Sequence, residues 1–366
     1  MPNSINKSTD FTEQPFFIGI DVHKKSWTIT VRTLDIELGH FTQEPEVSKL
    51  ARYLHNHYPG GKFFSAYEAG FCGTSIHHTL CKAGIENIII HPADLPQTHK
   101  QKSNKTDLHD SRAIARYLEA GLLSSIHIMP FDQQERRALF RCRQAKVKDV
   151  TRCNNRLRSL LHYAGVVLPQ QFRDKEYISQ NFLSWLSNLE LITCEGTTAL
   201  HHYVEELKHQ RQQLLYITRK LKQAIIQHYK ESYSSLLTVP GIGPITSIAL
   251  LTETGDLNRF NNPNEFASYL GLIPNEQSSG ENIYSSYIQP RCNRYLRPLL
   301  IEAAWSAIRF CPVLLTYYKK HVGKNNKKAI VKVARKLSLI AKAVALNKTI
   351  YQADYLNEIN KSIVAV

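Results

Sequence analysis

No stretch of this 366-residue chain approaches the ~18 consecutive apolar residues that a membrane span needs. The opening segment, Met1 to Pro15, is polar and holds no apolar signal region. The seven cysteines, at 72, 81, 142, 153, 194, 292 and 311, are odd in number and form no C-x-x-C pair. That supports neither a disulfide framework nor a zinc ribbon, and reduced, partly buried thiols are expected. Acid is scarce: 31 Asp and Glu face 46 Lys and Arg, a net charge of +15. Such an excess calls for a polyanionic partner, and without an apolar anchor nucleic acid is preferred to a membrane surface. A soluble, cytoplasmic protein is expected, with no membrane partner.

What is present begins with Phe16-Phe17-Ile18-Gly19-Ile20-Asp21, an apolar strand pattern that ends on a carboxylate. A charge seldom ends up in a core without a partner or a metal, so Asp21 asks for company. Strand patterns follow at Ser26–Arg32 and Ile36–Thr42, a helix at Glu46–His57, and a break at Pro59-Gly60-Gly61. A strand from Lys62 ends on Glu68, a helix covers Gly73–Ala83, and a short strand covers Glu86–His91. The order predicts a central sheet with helices on its faces. Neighbouring strands would let Asp21 and Glu68 converge on one ion.

A further helix starts within Lys105–Arg112 and runs to Glu119. Asp107 and Asp110 share one of its faces. The alternative is a plain N-cap at Thr106 or Asp107, with Asp110 in the first turn. Four hard oxygen ligands, Asp21, Glu68, Asp107 and Asp110, suit Mg²⁺ or Mn²⁺ rather than zinc. Two such ions ~4 Å apart serve phosphoryl transfer. His23 and His109 flank these acids and are read as surface or supporting groups rather than catalytic ones.

From Asp132 to Gly165 there is neither Pro nor Gly inside the stretch. Arg136, Arg137, Arg141, Arg143, Lys146, Lys148, Arg152, Arg156 and Arg158 crowd it, with Asp149 the lone acid among them. This basic amphipathic helix is expected to meet nucleic-acid phosphate, the alternative being a solvated face. A second long helix is predicted over Thr198–Tyr229, its apolar stripe slipping along Leu200, Val204, Leu207, Leu214, Leu215, Ile217, Leu221 and Ile225. The two helices can pair within the chain or between subunits.

Leu236 to Leu251 contains Pro240-Gly241-Ile242-Gly243-Pro244. This is a helix-hairpin-helix pattern whose glycines, Gly241 and Gly243, allow a turn that meets phosphate. A purely structural αα-hairpin is the alternative. Phe266–Gly280 leaves a helix for a small-residue loop with Ser278 and Ser279, and Arg294 and Arg297 open the next helix. The last long helix is basic through Lys324, Lys327, Lys328, Lys332, Arg335, Lys336 and Lys342.

In this order, Gly19–Lys24, Tyr67-Glu68-Ala69, Lys105–Asp110, Pro240–Pro244 and Gly271–Pro274 with Ser278-Ser279-Gly280 resemble the DEDD insertion-sequence transposases, the bridge-RNA-guided recombinases. The resemblance covers nearly the whole chain. It implies an α/β N-terminal domain of ribonuclease H/RuvC type over 16–125 after a tail at 1–15. It also implies long coiled-coil-like helices over 126–230, and an all-α C-terminal domain with a helix-hairpin-helix over 231–366. It assigns Mg²⁺ binding to Asp21, Glu68, Asp107 and Asp110. It assigns covalent attack on DNA to a serine, Ser279 in preference to Ser278. From the charge pattern and the hairpin glycines, nucleic-acid contact is expected at Arg136, Arg137, Arg141, Arg143, Lys146, Arg152, Arg156, Gly241, Gly243, Arg294 and Arg297. The implied partners are element ends and target DNA, a structured non-coding guide RNA, and further copies of the chain, from dimer to tetramer. The implied place is the nucleoid of a prokaryotic cell. The chain departs from the family after Gly280, where basic residues are missing and Cys292 replaces a glycine.

The leading reading is an RNA-guided recombinase that works through phosphoserine. A RuvC-type junction nuclease and a decayed, non-catalytic nucleic-acid-binding transposase are the competitors.

Overall fold

The computed structural model describes residues 11–95, 107–173, 177–279, 282–323 and 325–352, with side chains except at 107–109 and 275–287. Lys105, Thr106, Gly280 and Lys324 from the patterns above lie outside the described residues. The chain divides into two compact units, 1–128 and 129–366.

In the first unit, alternating apolar residues build β1 (Pro15–Val22), β2 (Trp27–Thr33) and β3 (Ile36–Gln43). Then come α1 (Val47–His57), β4 (Lys62–Glu68), α2 (Ser75–Lys82), β5 (Ile85–Ile90) and α3 (Asp107–Glu119). The sheet order is β3-β2-β1-β4-β5, with β1–β2 and β2–β3 antiparallel and β4 and β5 parallel to β1. Strand alternation divides β1 between two layers. Phe16, Ile18 and Ile20 are fully buried in a core shared with Leu50 and Leu54 of α1 and Leu80 of α2. Burying three such side chains contributes about 2 kcal/mol each. The opposite face is smaller: Ala66, pairing with Gly19, joins Ile90, Leu95 and Ile114 of α3.

The second unit begins with α4 (Phe131–Tyr163), then α5 (Gln170–Arg173), α6 (Gln180–Ser187) and α7 (Cys194–Leu236). Helices α4 and α7 pack along one another within the chain. The 166–198 stretch, irregular in pattern, supplies α5 and α6. Helix α7 starts four residues earlier than its pattern predicts and passes a break in helical geometry at Tyr229. Its stripe slips because it serves two cores. Leu200, Val204 and Leu207 join a distal core with Leu157, Leu161, Phe172 and Phe182. Leu221 and Ile225 join the large proximal core. Leu215, between them, is 58% exposed.

The proximal core is built from α8 (Pro244–Thr254), α9 (Pro263–Leu270), α10 (Leu296–Phe310), α11 (Pro312–His321) and α12 (Asn326–Asn347). The C-terminal region is therefore mostly helical but not all-α. The small-residue loop is instead a two-stranded antiparallel ribbon, β6 (Pro274–Ser279) with β7 (Asn282–Ile288). Among the described residues, no single helix is long and apolar enough to cross a membrane.

Candidate functional site

Strands β1 and β4 run in parallel register up to Ile20 opposite Tyr67. The next residues, Asp21 and Glu68, therefore stand side by side at the carboxyl ends of two central strands. Asp21 shares its face of β1 with Gly19, and that face receives α3. A β-carbon at Gly19 would lie 2.0 Å from the Ser111 carbonyl oxygen and 2.6 Å from the Ala115 nitrogen. Only glycine allows so close a helix. The Ser111 and Thr30 hydroxyls share a buried 3.0 Å hydrogen bond. Further along, Arg32 donates to Glu119 at 2.7 Å, and Arg32 pairs with Phe17 near the start of β1. Helix α3 thus runs antiparallel to β1, and its first turn, positions 107 to 110, points to the strand end that carries Asp21 and Glu68.

The Asp21 side chain is 18% exposed, with the His23 ring nitrogen 3.6 Å from its Oδ2. Asp110 is half-buried. The side chains of Asp107 and His109 lie outside the described residues. Among the described residues, no group of three or more His, Cys, Asp or Glu stands in metal-holding geometry. The donors at hand are nevertheless carboxylates, and two of them share a strand end facing a helix start. That chemistry fits a hard divalent cation.

The basic helix α4 is less available than its charge density implies. Asp132 takes Arg136, Asp149 takes both Arg152 and Lys146, and Glu206 lies 3.6 Å from Arg156. Arg143 donates to Thr218, and Lys146 also to Gln210. Acids of α4 and α7 thus pair with part of this charge, and neutral acceptors on α7 hold Arg143 and Lys146.

Arg141 is committed more deeply, to a carboxylate on α8 that the motifs did not reveal. Glu253 is fully buried. It accepts from Arg141 Nε at 2.7 Å and from an Arg141 terminal nitrogen at 2.8 Å. It also accepts from Asn293 Nδ2 at 3.0 Å. The Tyr269 hydroxyl donates to the Glu253 carbonyl at 2.6 Å and accepts from Asn293 Nδ2 at 2.9 Å. Burial is the main cause that raises the Tyr269 phenol above its ordinary pKa. Asn293 Oδ1 accepts the backbone N–H of Tyr295 and of Leu296, capping α10. The detectable signal was a lone acid in the apolar helix Pro244–Thr254, because a buried carboxylate requires a partner.

This network surrounds the root of the ribbon. Gln289 N donates to Ile273 O at 3.2 Å, closing its base, and Arg297 donates to the Gln289 carbonyl. Arg297 therefore holds the chain's own backbone. Arg294 is exposed, its guanidinium 5.3 Å from the Tyr295 ring centre. Cys292 stands where its β-carbon would be 2.3 Å from one placed on Gly271. The bulk gained at 292 is thus accommodated by the bare backbone at 271. In register, Ser278 faces Ile283 and Ser279 faces Asn282. Both serines lie at the tip, and their side chains are outside the described residues.

Gly241 has φ +84°, and a β-carbon there would lie 2.3 Å from the Ala303 carbonyl oxygen. This glycine lets the turn press against α10. Gly243 is the N-cap of α8, with open space where its β-carbon would be.

Two family models match the chain. A DEDD transposase domain of the IS110 type spans residues 18–164, and the transposase IS116/IS110/IS902 family spans 233–319. The y4qE protein of Sinorhizobium fredii, which carries a transposase name, is 26% identical over 249 residues, covering 66% of this chain and 58% of that one. The transposase for insertion sequence element IS1111A of Coxiella burnetii is 26% identical over 240 residues, 65% of this chain and 64% of that one. The transposase for insertion sequence element IS1328 of Yersinia enterocolitica is 30% identical over 206 residues, 56% and 59%. The chain spans about three fifths of the length of these relatives. The first model covers Asp21, Glu68, Asp107 and Asp110, and the second covers Glu253, Ser278, Ser279 and Asn293, so this chain carries the DEDD transposase domains of the IS110/IS116 family.

Proposed function

We propose that the chain is the transposase of an insertion sequence, an enzyme that cuts and rejoins DNA. The observation that carries this is the pairing of Asp21 and Glu68 at adjacent strand ends, under the first turn of α3. The strand order β3-β2-β1-β4-β5 supports the ribonuclease H/RuvC-type reading of this unit. Asp21, Glu68, Asp107 and Asp110 would hold Mg²⁺ or Mn²⁺, which supplies charge stabilisation to a transferring phosphoryl group. The ribbon's serine, Ser279 or Ser278, attacks a DNA phosphorus. The serine hydroxyl gives up its proton as its oxygen bonds to phosphorus, a phosphorus–oxygen bond of the strand breaks, and the leaving oxygen takes up one proton in return. Rejoining reverses these steps onto a new strand. A structured guide RNA and assembly to a dimer or tetramer belong to the same proposal. They are supported by the family resemblance and by a charge excess larger than the internal acids absorb. The unneutralised groups of α4, the turn at Gly241–Gly243 and the exposed Arg294 are the proposed DNA contacts.

The test is a denaturing gel of protein incubated with labelled element-end DNA and Mg²⁺. Wild type gives a protein–DNA adduct, and Ser279→Ala combined with Ser278→Ala gives none. An adduct that survives both replacements removes the serine mechanism. Cleavage without any adduct in the wild type selects the junction nuclease.

A further inference from the structure

Three guanidinium groups gather near the root of the ribbon, and the one buried carboxylate among them is already spent. Both oxygens of Glu253 are taken by Arg141, and one also by Asn293. Arg137 precedes Arg141 by one turn of α4. It is close enough to feel the charges of Arg141, Glu253 and Tyr269. No hydrogen bond or ion pair to Arg137 occurs among the described residues. Arg259 feels Arg137 in turn. It donates Nε to the Thr254 carbonyl at 3.1 Å, and its guanidinium lies 4.0 Å from the Phe260 ring centre and 4.8 Å from that of Tyr269. Asp256, an acid near Arg259, is exposed. The one buried carboxylate, Glu253, thus pairs with Arg141 and leaves Arg137 and Arg259 to other partners.

The physical cost of that crowding is visible. Burial, with the charge of Arg141 second, holds the Arg137 guanidinium below its ordinary value. Burial does the same to Arg259. Crowded, half-desolvated cations of this kind are relieved by an anion. Arg259 and Tyr269 line a groove of about 620 Å³ together with Phe260, Glu265, Ser268 and Ile273; the Glu265 carboxylate there is engaged by the Asn261 N–H and the Asn262 amide. Ile273 is the residue before β6, so the groove ends where the ribbon begins. A planar guanidinium stacked on rings, with free N–H edges beside it, matches a phosphate that arrives with a sugar and base attached.

We propose that Arg259, stacked on Tyr269, forms with the neighbouring Arg137 the seat of one DNA phosphodiester at the root of the ribbon, leading that strand toward Ser278 and Ser279. The proposal rests on the transposase reading and names where its DNA is gripped. Phosphate at the seat neutralises the two arginines that Glu253 leaves over, and the groove carries the neighbouring nucleotide.

The test uses the full chain with Arg137→Gln, Arg259→Gln and both together. Binding of an element-end duplex is followed by fluorescence anisotropy across a salt series. Each single replacement is expected to make the plot of log affinity against log salt shallower by about one, for every DNA sequence alike. The thermal midpoint of the DNA-free Arg137→Gln protein should stay level or rise, because a repelled charge is removed. A wild-type slope in the double variant overturns the seat, and so does a lowered midpoint with an unchanged slope. A slope change seen with a structured RNA but not with DNA also overturns it. The protein with both Ser278 and Ser279 replaced by Ala should keep the wild-type slope while losing strand exchange. If it keeps strand exchange, the serine mechanism fails while the seat stands on its own slope.

Discussion

At the scale of single residues, Gly19 shows how sequence and geometry divide the information. Its neighbours gave a strand ending on Asp21, but nothing local said that a helix backbone would lie against position 19. Gly19→Ala places a β-carbon 2.0 Å from a carbonyl oxygen. It should lower unfolding free energy by about 2–3 kcal/mol in urea titrations, with metal-dependent cleavage falling as α3 is pushed away. Asp21 and Glu68 were legible because a charge that ends an apolar run is conspicuous. Glu253 was not, because its partner Arg141 lies 112 residues away and helical periodicity carries no record of so distant a pairing. Glu253→Gln leaves Arg141 without its counter-charge. Arg141 is 41% exposed and can turn to water, so the loss should be about 2 kcal/mol, below the usual cost of splitting a buried pair. Thermal unfolding reads it. His40 adds a pH dependence. Burial first, then Arg112, holds its imidazole below its ordinary value, while Thr30 hydrogen-bonds Nδ1 at 2.9 Å. A depressed folded pKa means that its contribution is complete above the unfolded pKa of about 6.5 and is lost as pH falls through the folded one. Wild type should therefore lose more of its thermal midpoint than His40→Gln between about pH 6.5 and 5.

At the scale of elements, periodicity worked where one face met one core. The sheet, α1, α3 and α4 fall within a few residues of their patterns. It failed where an element served two masters or none. The slipping stripe of α7 is the gap between a distal core ending at Leu207 and a proximal core starting at Leu221. Small polar residues hid the ribbon, whose backbone pairing needs a partner strand that follows later in the chain, although Ile283 to Ile288 has β-prone residues. Because the distal core is separate, it should open on its own. Phe182→Ala removes a fully buried ring stacked 4.5 Å from Phe172. It should cost roughly 3–5 kcal/mol, read as faster hydrogen exchange over residues 150–207 while α12 exchanges at the wild-type rate.

At the scale of the whole molecule, a charge of +15 points to a polyanionic partner, and on α4 part of that charge is met by acids of the chain itself. Binding and chemistry should separate. Asp21→Asn is expected to keep DNA affinity and its salt dependence while cleavage falls on the order of a hundredfold or more. Chelation should give the same loss in wild type, reversed by Mg²⁺. The ribbon adds a mechanical consequence. Six residues from Pro274 to Ser279, at about 3.3 Å each, make an arm of roughly 20 Å. A tilt of about 10° at its base carries the tip through some ~3 Å, the length of a hydrogen bond. In the proposed reaction the aim of the serines would thus be set by the stiffness of a fulcrum made of Asn293, Arg297, Glu253 and Tyr269, none of which would need to come near the bond to be broken.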